Sequence, residues 1–383
     1  MALHFEPDEF NARVNSVCST MADEGLDGML IFQQESMYYL TGYDTFGFCF
    51  FQCLYLSADG TMALLTRSAD YRQAQHTSTL SDIRIWTDEA GASPVDQLKH
   101  MLQDLGVQNN SLGVEYNSYG LTAHYGKALD QSLEGFCATK DASNLITTIR
   151  AVKSAAELTC VRRAGKLGDA ALSAAVEATH AGADEGDILA AMHNEIFKGG
   201  GDYPANEFII GSGEDALLCR YKSGRRKLDN QDQLTLEWAG VYRHYHAAFM
   251  RTIVIGTPNK QHLTMHAAAL DALKACEKAM TPGHNAGDVF SAHAKIMDKA
   301  GLKDHRLNAC GYSLGAKFTP SWMDAPMFYA NNDFEIVPGM VLFAHMILMD
   351  SDTNTAMTLG RSYITTNNNP EPLSSWPLDL IVK

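Results

Sequence analysis

The 383-residue sequence has no apolar run approaching the roughly 20 residues that a membrane-spanning helix requires. The most apolar stretch, FGFCFFQCLYL, is the length of a buried strand. Positive charge is also scarce: 30 Lys and Arg stand against 45 Asp and Glu, a formal net charge of −15. Nucleic acid and anionic membranes recruit basic patches, so neither is expected as a partner, and a small molecule is. Cysteine pairs at C-x-x-C spacing are missing; the eight cysteines (18, 49, 53, 137, 160, 219, 276 and 310) read as reduced, mostly buried thiols. The opening MALHFEPDEF lacks a basic segment followed by an apolar core, so no secretory leader is read there and a cytoplasmic location is expected. The glycines at 199–201 lack a strand-to-helix G-x-G-x-x-G context, so they form a loop hinge and not a phosphate cradle, and no cofactor is expected.

What is present is a mixed α/β pattern in two parts. Over 1–145 an amphipathic helix runs into the strand GMLIF, CLYLSADGTMALLT reads as a hairpin about Asp59-Gly60, SPVDQLKHMLQDLG as a helix and SLGVEY as a strand. Over 146–383 an Ala-rich helical run carries Ser154 and Glu157 at capping-box spacing. Helix DEGDILAAMHNEIFKGGG, strand EFIIGSG and the strand pair QLTLEWAG and HAAFMRTIVIG follow it. Two more helices, HLTMHAAALDALKACEKA and DVFSAHAKIMDKAG, and the strands GMVLFAHMILMD and RSYITT close the chain. Helices and hairpins alternate in two comparable halves, which predicts one α+β domain built from a pseudo-repeat behind a smaller α/β domain.

Four phrases, in order, resemble the creatinase–aminopeptidase P (pita-bread) family: IRAVKSAAELTCVRRAGKLGDAA, LEWAGVYRHYHAAFMRT, ACGYSLG and PGMVLFAHMIL. The resemblance covers nearly the whole chain. It implies a creatinase-like N-terminal domain, a pita-bread catalytic domain with a pseudo-twofold repeat, and a homodimer. In the family's metallopeptidases two Asp, one His and two Glu hold two metal ions. Carried onto this sequence, those positions are Glu237, Ala248, Tyr312, His345 and a residue near Gly360. One carboxylate of five remains, and two cations a few ångströms apart need bridging carboxylates. No metal is therefore expected.

The family has metal-free members that cleave C–N bonds in guanidinium or cyclic-amidine substrates. The phrases around Glu237, Trp322 and His345 resemble its ectoine-opening branch more than creatinase itself, whose catalytic His position is held here by Arg220. The expected roles follow from the residue chemistry. Glu237 attacks the amidinium carbon or activates water, His345 moves a proton to the departing nitrogen, and Tyr312 donates a hydrogen bond. His246 shares a strand face with Ala248. Arg220 suits a substrate carboxylate, while Trp322 and Asp324 sit in a loop that the resemblance brings beside the pocket. The resemblance also implies that the loop LTGYDTFGFCFFQ completes the partner's site, with Tyr43 and Phe46 its contributors. Trp238 alternates with Glu237 and should point the other way. Two further readings stand beside this one. In the first, a single zinc sits on Glu237, His246 and His345 of a dipeptidase-like hydrolase or lyase. The second is a binding protein without catalysis.

Overall fold

The computed structural model describes residues 3–220 and 225–383, and the chain divides into two compact units, Met1–Arg150 and Ala151–Lys383. The first unit alternates helices α1 (Pro7–Asp23), α2 (Gln34–Thr41), α3 (Tyr71–Thr77), α4 (Pro94–Asp104), α5 (Ala123–Leu133) and α6 (Leu145–Arg150) with six strands. The strands are β1 (Gly28–Ile31), β2 (Cys53–Ser57), β3 (Met62–Arg67), β4 (Asp82–Trp86), β5 (Ser111–Val114) and β6 (Ala138–Asp141), in sheet order β4-β3-β2-β1-β5-β6. Helix α4 begins where Ser93 Oγ accepts the Asp96 amide, with Pro94 in the first turn, so local chemistry sets its start. The boundary falls five residues beyond the expected 145 because Leu145 and Ile146 of α6 are buried in the first unit's core beside Val17 and Met21.

The expected contribution of Tyr43 at a loop tip is corrected. Its side chain is fully buried in the first unit, and its hydroxyl pairs with Gln52 Oε1 and Thr66 Oγ1, each at 3.2 Å. A phenol with such partners is stable in a core. Phe46, three residues on, is 79% exposed.

The second unit holds helices α7 (Ala155–Ala178), α8 (Glu185–Lys198), α9 (Lys260–Ala279) and α10 (Ala286–Lys299). Its main strands are β7 (Ile209–Ser212), β8 (Asp232–Tyr242), β9 (Tyr245–Ile255), β10 (Ala309–Ser313), β11 (Asp324–Tyr329), β12 (Val341–Asp350) and β13 (Thr355–Ile364). They form a sheet in the order β11-β10-β12-β13-β9-β8-β7. The capping box at α7 is complete, with Ser154 Oγ accepting the Glu157 amide and Glu157 Oε2 accepting the Ser154 amide. The two comparable halves are each a helix pair with a long hairpin: α7–α8 with β8–β9, and α9–α10 with β12–β13. Strands β8 and β9 are joined by Arg243 and His244, both at positive φ (52° and 64°), as a two-residue turn that matches strand twist demands. Strands β10 and β11 were not anticipated. ACGYS and DAPMFY are short and lack period-two alternation, and register shifts interrupt their pairing.

Candidate active site

The two hairpins meet at β9 and β13, and this seam positions the site. Backbone pairing across it is confined to Leu359↔Arg251 and Gly360↔Met250. On either side hydroxyls stand in for the ladder. Ser362 Oγ accepts the Ala248 amide (3.0 Å) and donates to the Ala248 carbonyl (2.7 Å), while Thr252 Oγ1 accepts the Thr358 amide (2.7 Å). A short, splayed seam lets the sheet bend there.

Directly opposed residues share a face. Glu237 opposes Met250, Met250 opposes Gly360, and Gly360 opposes His345, so one row crosses four strands with Glu237 and His345 at equivalent ends of the two hairpins. Gly360 has no room for a side chain, since a Cβ there would lie 2.8 Å from the Phe343 ring and 3.1 Å from Met250 Cβ. Tyr312 pairs with Phe343, one pleat to the side of His345. Four inter-strand steps separate Tyr312 from Glu237, about 19 Å on a flat sheet. Yet the Tyr312 hydroxyl donates to Glu237 Oε1 at 3.3 Å. The sheet is therefore strongly curved, and the row lies on its concave face.

Each titratable group here is shaped by burial. Loss of solvent pushes the Glu237 carboxyl up to about 7, against the opposing pull of the Arg220 charge and the Tyr312 hydrogen bond. Burial raises Tyr312 well above its usual range, helped by the Glu237 charge. Trp322 Nε1 donates to the Tyr312 oxygen at 2.9 Å. An indole N–H can only donate, so that oxygen accepts and the phenol proton is aimed at Glu237. Burial also lowers His345 to about 3, leaving a neutral imidazole, and its buried Nδ1 has no hydrogen-bond partner among the described residues. The ring centres of Tyr312 and His345 are 5.6 Å apart.

The structure brings Glu237, Tyr312, His345 and Trp322 together, and treats the remaining expected residues differently. His246 shares the face of Glu237, as its strand position implies, but both ring nitrogens are engaged within the fold. Its Nε2 accepts the Ala205 amide (3.0 Å) and its Nδ1 lies 3.4 Å from the Gly315 carbonyl. With burial holding it neutral, down to about 3, His246 props the wall and is not free to bind substrate. Trp322 is 1% exposed and gives its polar edge to Tyr312, so it acts on the site through that hydroxyl. Asp324 begins β11, with Oδ1 accepting the Ala325 amide. Arg220 is exposed in the segment after Gly213–Leu217, and its charge acts on Glu237, Tyr312 and His345. Residues 221–224 of the Arg220 phrase lie outside the described residues. Trp238 points away and donates to the Gly168 carbonyl of α7 (2.9 Å).

One residue was missed. Arg251, 2% exposed on the reverse of the sheet, donates through Nη1 to the carbonyls of Met250 (2.7 Å) and Gly360 (2.8 Å). It clamps the two central members of the row from behind. The signal was an Arg amid an apolar strand, AFMRTIVI, where a buried cation needs a structural reason.

Among the described residues, no group of three His, Cys, Asp or Glu is gathered that could hold a metal ion. The zinc trio of Glu237, His246 and His345 is corrected: His246 already spends both nitrogens within the fold, and the described residues gather no such ligand set.

A curved sheet of two equivalent hairpins, following an α/β unit in the chain, is the pita-bread fold, and the comparisons agree. The chain belongs to metallopeptidase family M24, whose model matches residues 159–364, and residues 13–152 match the creatinase/prolidase N-terminal domain. It is 27% identical over 400 residues to an ectoine hydrolase of Halomonas elongata, covering 100% of this chain and 99% of that one. It is 23% identical over 305 residues to a Xaa-Pro dipeptidase of Pyrococcus furiosus, covering 79% and 82%. Among solved structures, a prolidase from Thermococcus sibiricus superposes with a TM-score of 0.87 at 16% identity over 98% of this chain and 99% of that one. Dipeptidase PepE from Mycobacterium ulcerans gives 0.85 at 22% identity over 99% of each. No helix among the described residues is long and apolar enough to cross a membrane.

Proposed function

We propose that this protein is a metal-independent hydrolase that opens a C–N bond of a small cyclic amidine, with ectoine the first substrate to test. The observation that carries the reading is the row itself. A buried carboxylate and a neutral imidazole whose Nδ1 has no partner among the described residues stand at the two ends of one row, while the family's other ligand positions hold Ala248, Tyr312 and Gly360. The full-length likeness to an ectoine hydrolase supports the substrate class.

An amidinium ion pairs naturally with a lone buried carboxylate, and its charge draws the Glu237 pKa down, so the carboxylate ionises as substrate binds. Glu237 then either adds to the amidinium carbon or takes the proton of the water that does so. His345, neutral before reaction, first accepts a proton from the adduct and passes it to the departing nitrogen as the C–N bond breaks. The products are an amide and an amine, with the elements of water shared between them. Tyr312 keeps its proton on Glu237, and Arg220 suits a substrate carboxylate. The protein acts as a homodimer in which Phe46, exposed on the first unit's loop, reaches the partner's site.

Proton NMR of chelator-treated protein with ectoine tests the reading, run beside Glu237→Gln. Acetylated diaminobutyrate from the wild type alone is expected. Turnover that appears only on zinc addition would move the case to a dipeptidase-like metal enzyme. Ligand binding without turnover under either condition would mark a binding homologue.

A further inference from the structure

Trp322 reaches the site from the connection between β10 and β11, outside helix and strand, so its ring is held in place by contacts from elsewhere in the fold. The holder lies in another irregular segment, 203–207, just ahead of β7. Asn206 Oδ1 accepts the Trp322 backbone amide (3.1 Å), and Asn206 Nδ2 donates to the Glu207 carbonyl (3.1 Å). One neighbour requires an acceptor and the other a donor, so a single orientation of the Asn206 amide serves both.

The adjacent Ala205, 3% exposed, gives its own amide to His246 Nε2 (3.0 Å), and the His246 ring centre lies 6.2 Å from that of Trp322. Residues 205 and 206 thus grip two neighbouring rings of the site wall, and only the second grip leads on to the carboxylate. His246 turns its other nitrogen to the Gly315 carbonyl. Trp322 Nε1 instead donates to the Tyr312 oxygen (2.9 Å), and the Tyr312 hydroxyl donates to Glu237 Oε1 (3.3 Å). A donor on the phenol oxygen polarises the O–H and strengthens the bond that it makes. Moving the indole by about 0.5 Å would take its bond beyond the N–H···O range.

We propose that Asn206 is a positioning residue of the reaction: by holding the Trp322 backbone it keeps the indole on the Tyr312 oxygen and the phenol proton directed at Glu237. This rests on the role given to Glu237 above. It adds to the machinery a residue that, among the described residues, makes no hydrogen bond to Glu237, Tyr312 or His345.

The charged and titratable groups around Glu237 are Arg220 and Cys219 from the segment after Leu217, Tyr312 from β10, and His345 at the far end of the row. Glu237 is titrated without substrate, by its carboxylic-acid band in infrared difference spectra between each protein and the same protein carrying Glu237→Gln. Asn206→Leu should raise the midpoint by about 0.5 pH unit, which is about threefold in kcat/KM on the acid limb. In the Tyr312→Phe background the same change should add nothing, because the path is already cut. His246→Ala, which releases the neighbouring grip, should leave the midpoint in place. Asn206→Ala should move it in the same direction as Leu, which keeps the test open if the larger side chain prevents folding. A midpoint that neither Asn206 variant moves, a shift that persists in full without the Tyr312 hydroxyl, or an equal shift in His246→Ala overturns the assignment. None of these results touches the amidine reading, which fails separately if protein with the expected Glu237 titration turns over no cyclic amidine.

Discussion

Replacing Glu237 with Gln should stabilise the protein, and only at the higher end of the pH range. The folded-state pKa of about 7 lies above the ordinary 4.5, and burial is the main cause. A carboxyl raised in this way weakens the fold as pH climbs. Below about pH 4.5 it is protonated folded or unfolded and has no effect. Between 4.5 and 7 the unfolded chain releases the proton and the folded one holds it, so each pH unit costs about 1.4 kcal/mol. Above pH 7 the penalty levels off at about 3 kcal/mol. Gln keeps the shape and can still accept from Tyr312, but carries no such term. For a unit of this size the difference corresponds to a Tm higher by about 6 °C at pH 8. Differential scanning calorimetry of wild type and variant from pH 4.5 to pH 8 reads it directly. The reasoning is refuted if the Tm gap is already present at pH 4.5, or if it is absent at pH 8. An amidinium ligand should close the gap from the wild-type side, because it supplies the counter-charge that the empty site lacks.

Tyr312→Phe removes the hydrogen bond that, among the described residues, favours ionised Glu237, so the acid limb of kcat/KM for cyclic-amidine hydrolysis should move up by about one pH unit. An unmoved limb would detach Tyr312 from Glu237. His246→Ala leaves the Ala205 amide buried without its acceptor and should cost about 1–3 kcal/mol in urea unfolding, with no shift of that acid limb. Gly240→Ala drives a Cβ to within 1.8 Å of the Ala164 carbonyl of α7; a loss of at least about 2 kcal/mol is expected, and a wild-type Tm would show that helix and sheet can part there.

Much of the fold was legible because its elements carry strong local signals. The Ser154–Glu157 capping box, the hairpin flanking Arg243-His244 and the apolar run of β12 are each specified by their own residues. Glu237 and His345 were legible as candidates because their phrases resemble the family's motifs, and strand register then sets them in one row. Roles set by distant partners were not legible. His246 stands on the right face, but its nitrogens are consumed by the Ala205 amide and the Gly315 carbonyl, on loops about 40 and 70 positions away. Tyr43 reads as a loop residue, yet Gln52 and Thr66 draw it into the core.

The seam between β9 and β13 makes the site a gauge with a single adjustment. The separation of Glu237 from His345 is fixed by two rigid hairpins and by how those hairpins abut, and loops have little part in it. Across the abutment only two residue pairs are laced by backbone, with Ser362 and Thr252 as side-chain spacers at its ends and Arg251 as a rivet behind. A change at any of these three positions should alter the spacing of Glu237 and His345 without touching either side chain. In a fold of this kind, substrate size is tuned along a hinge line as readily as in the pocket wall.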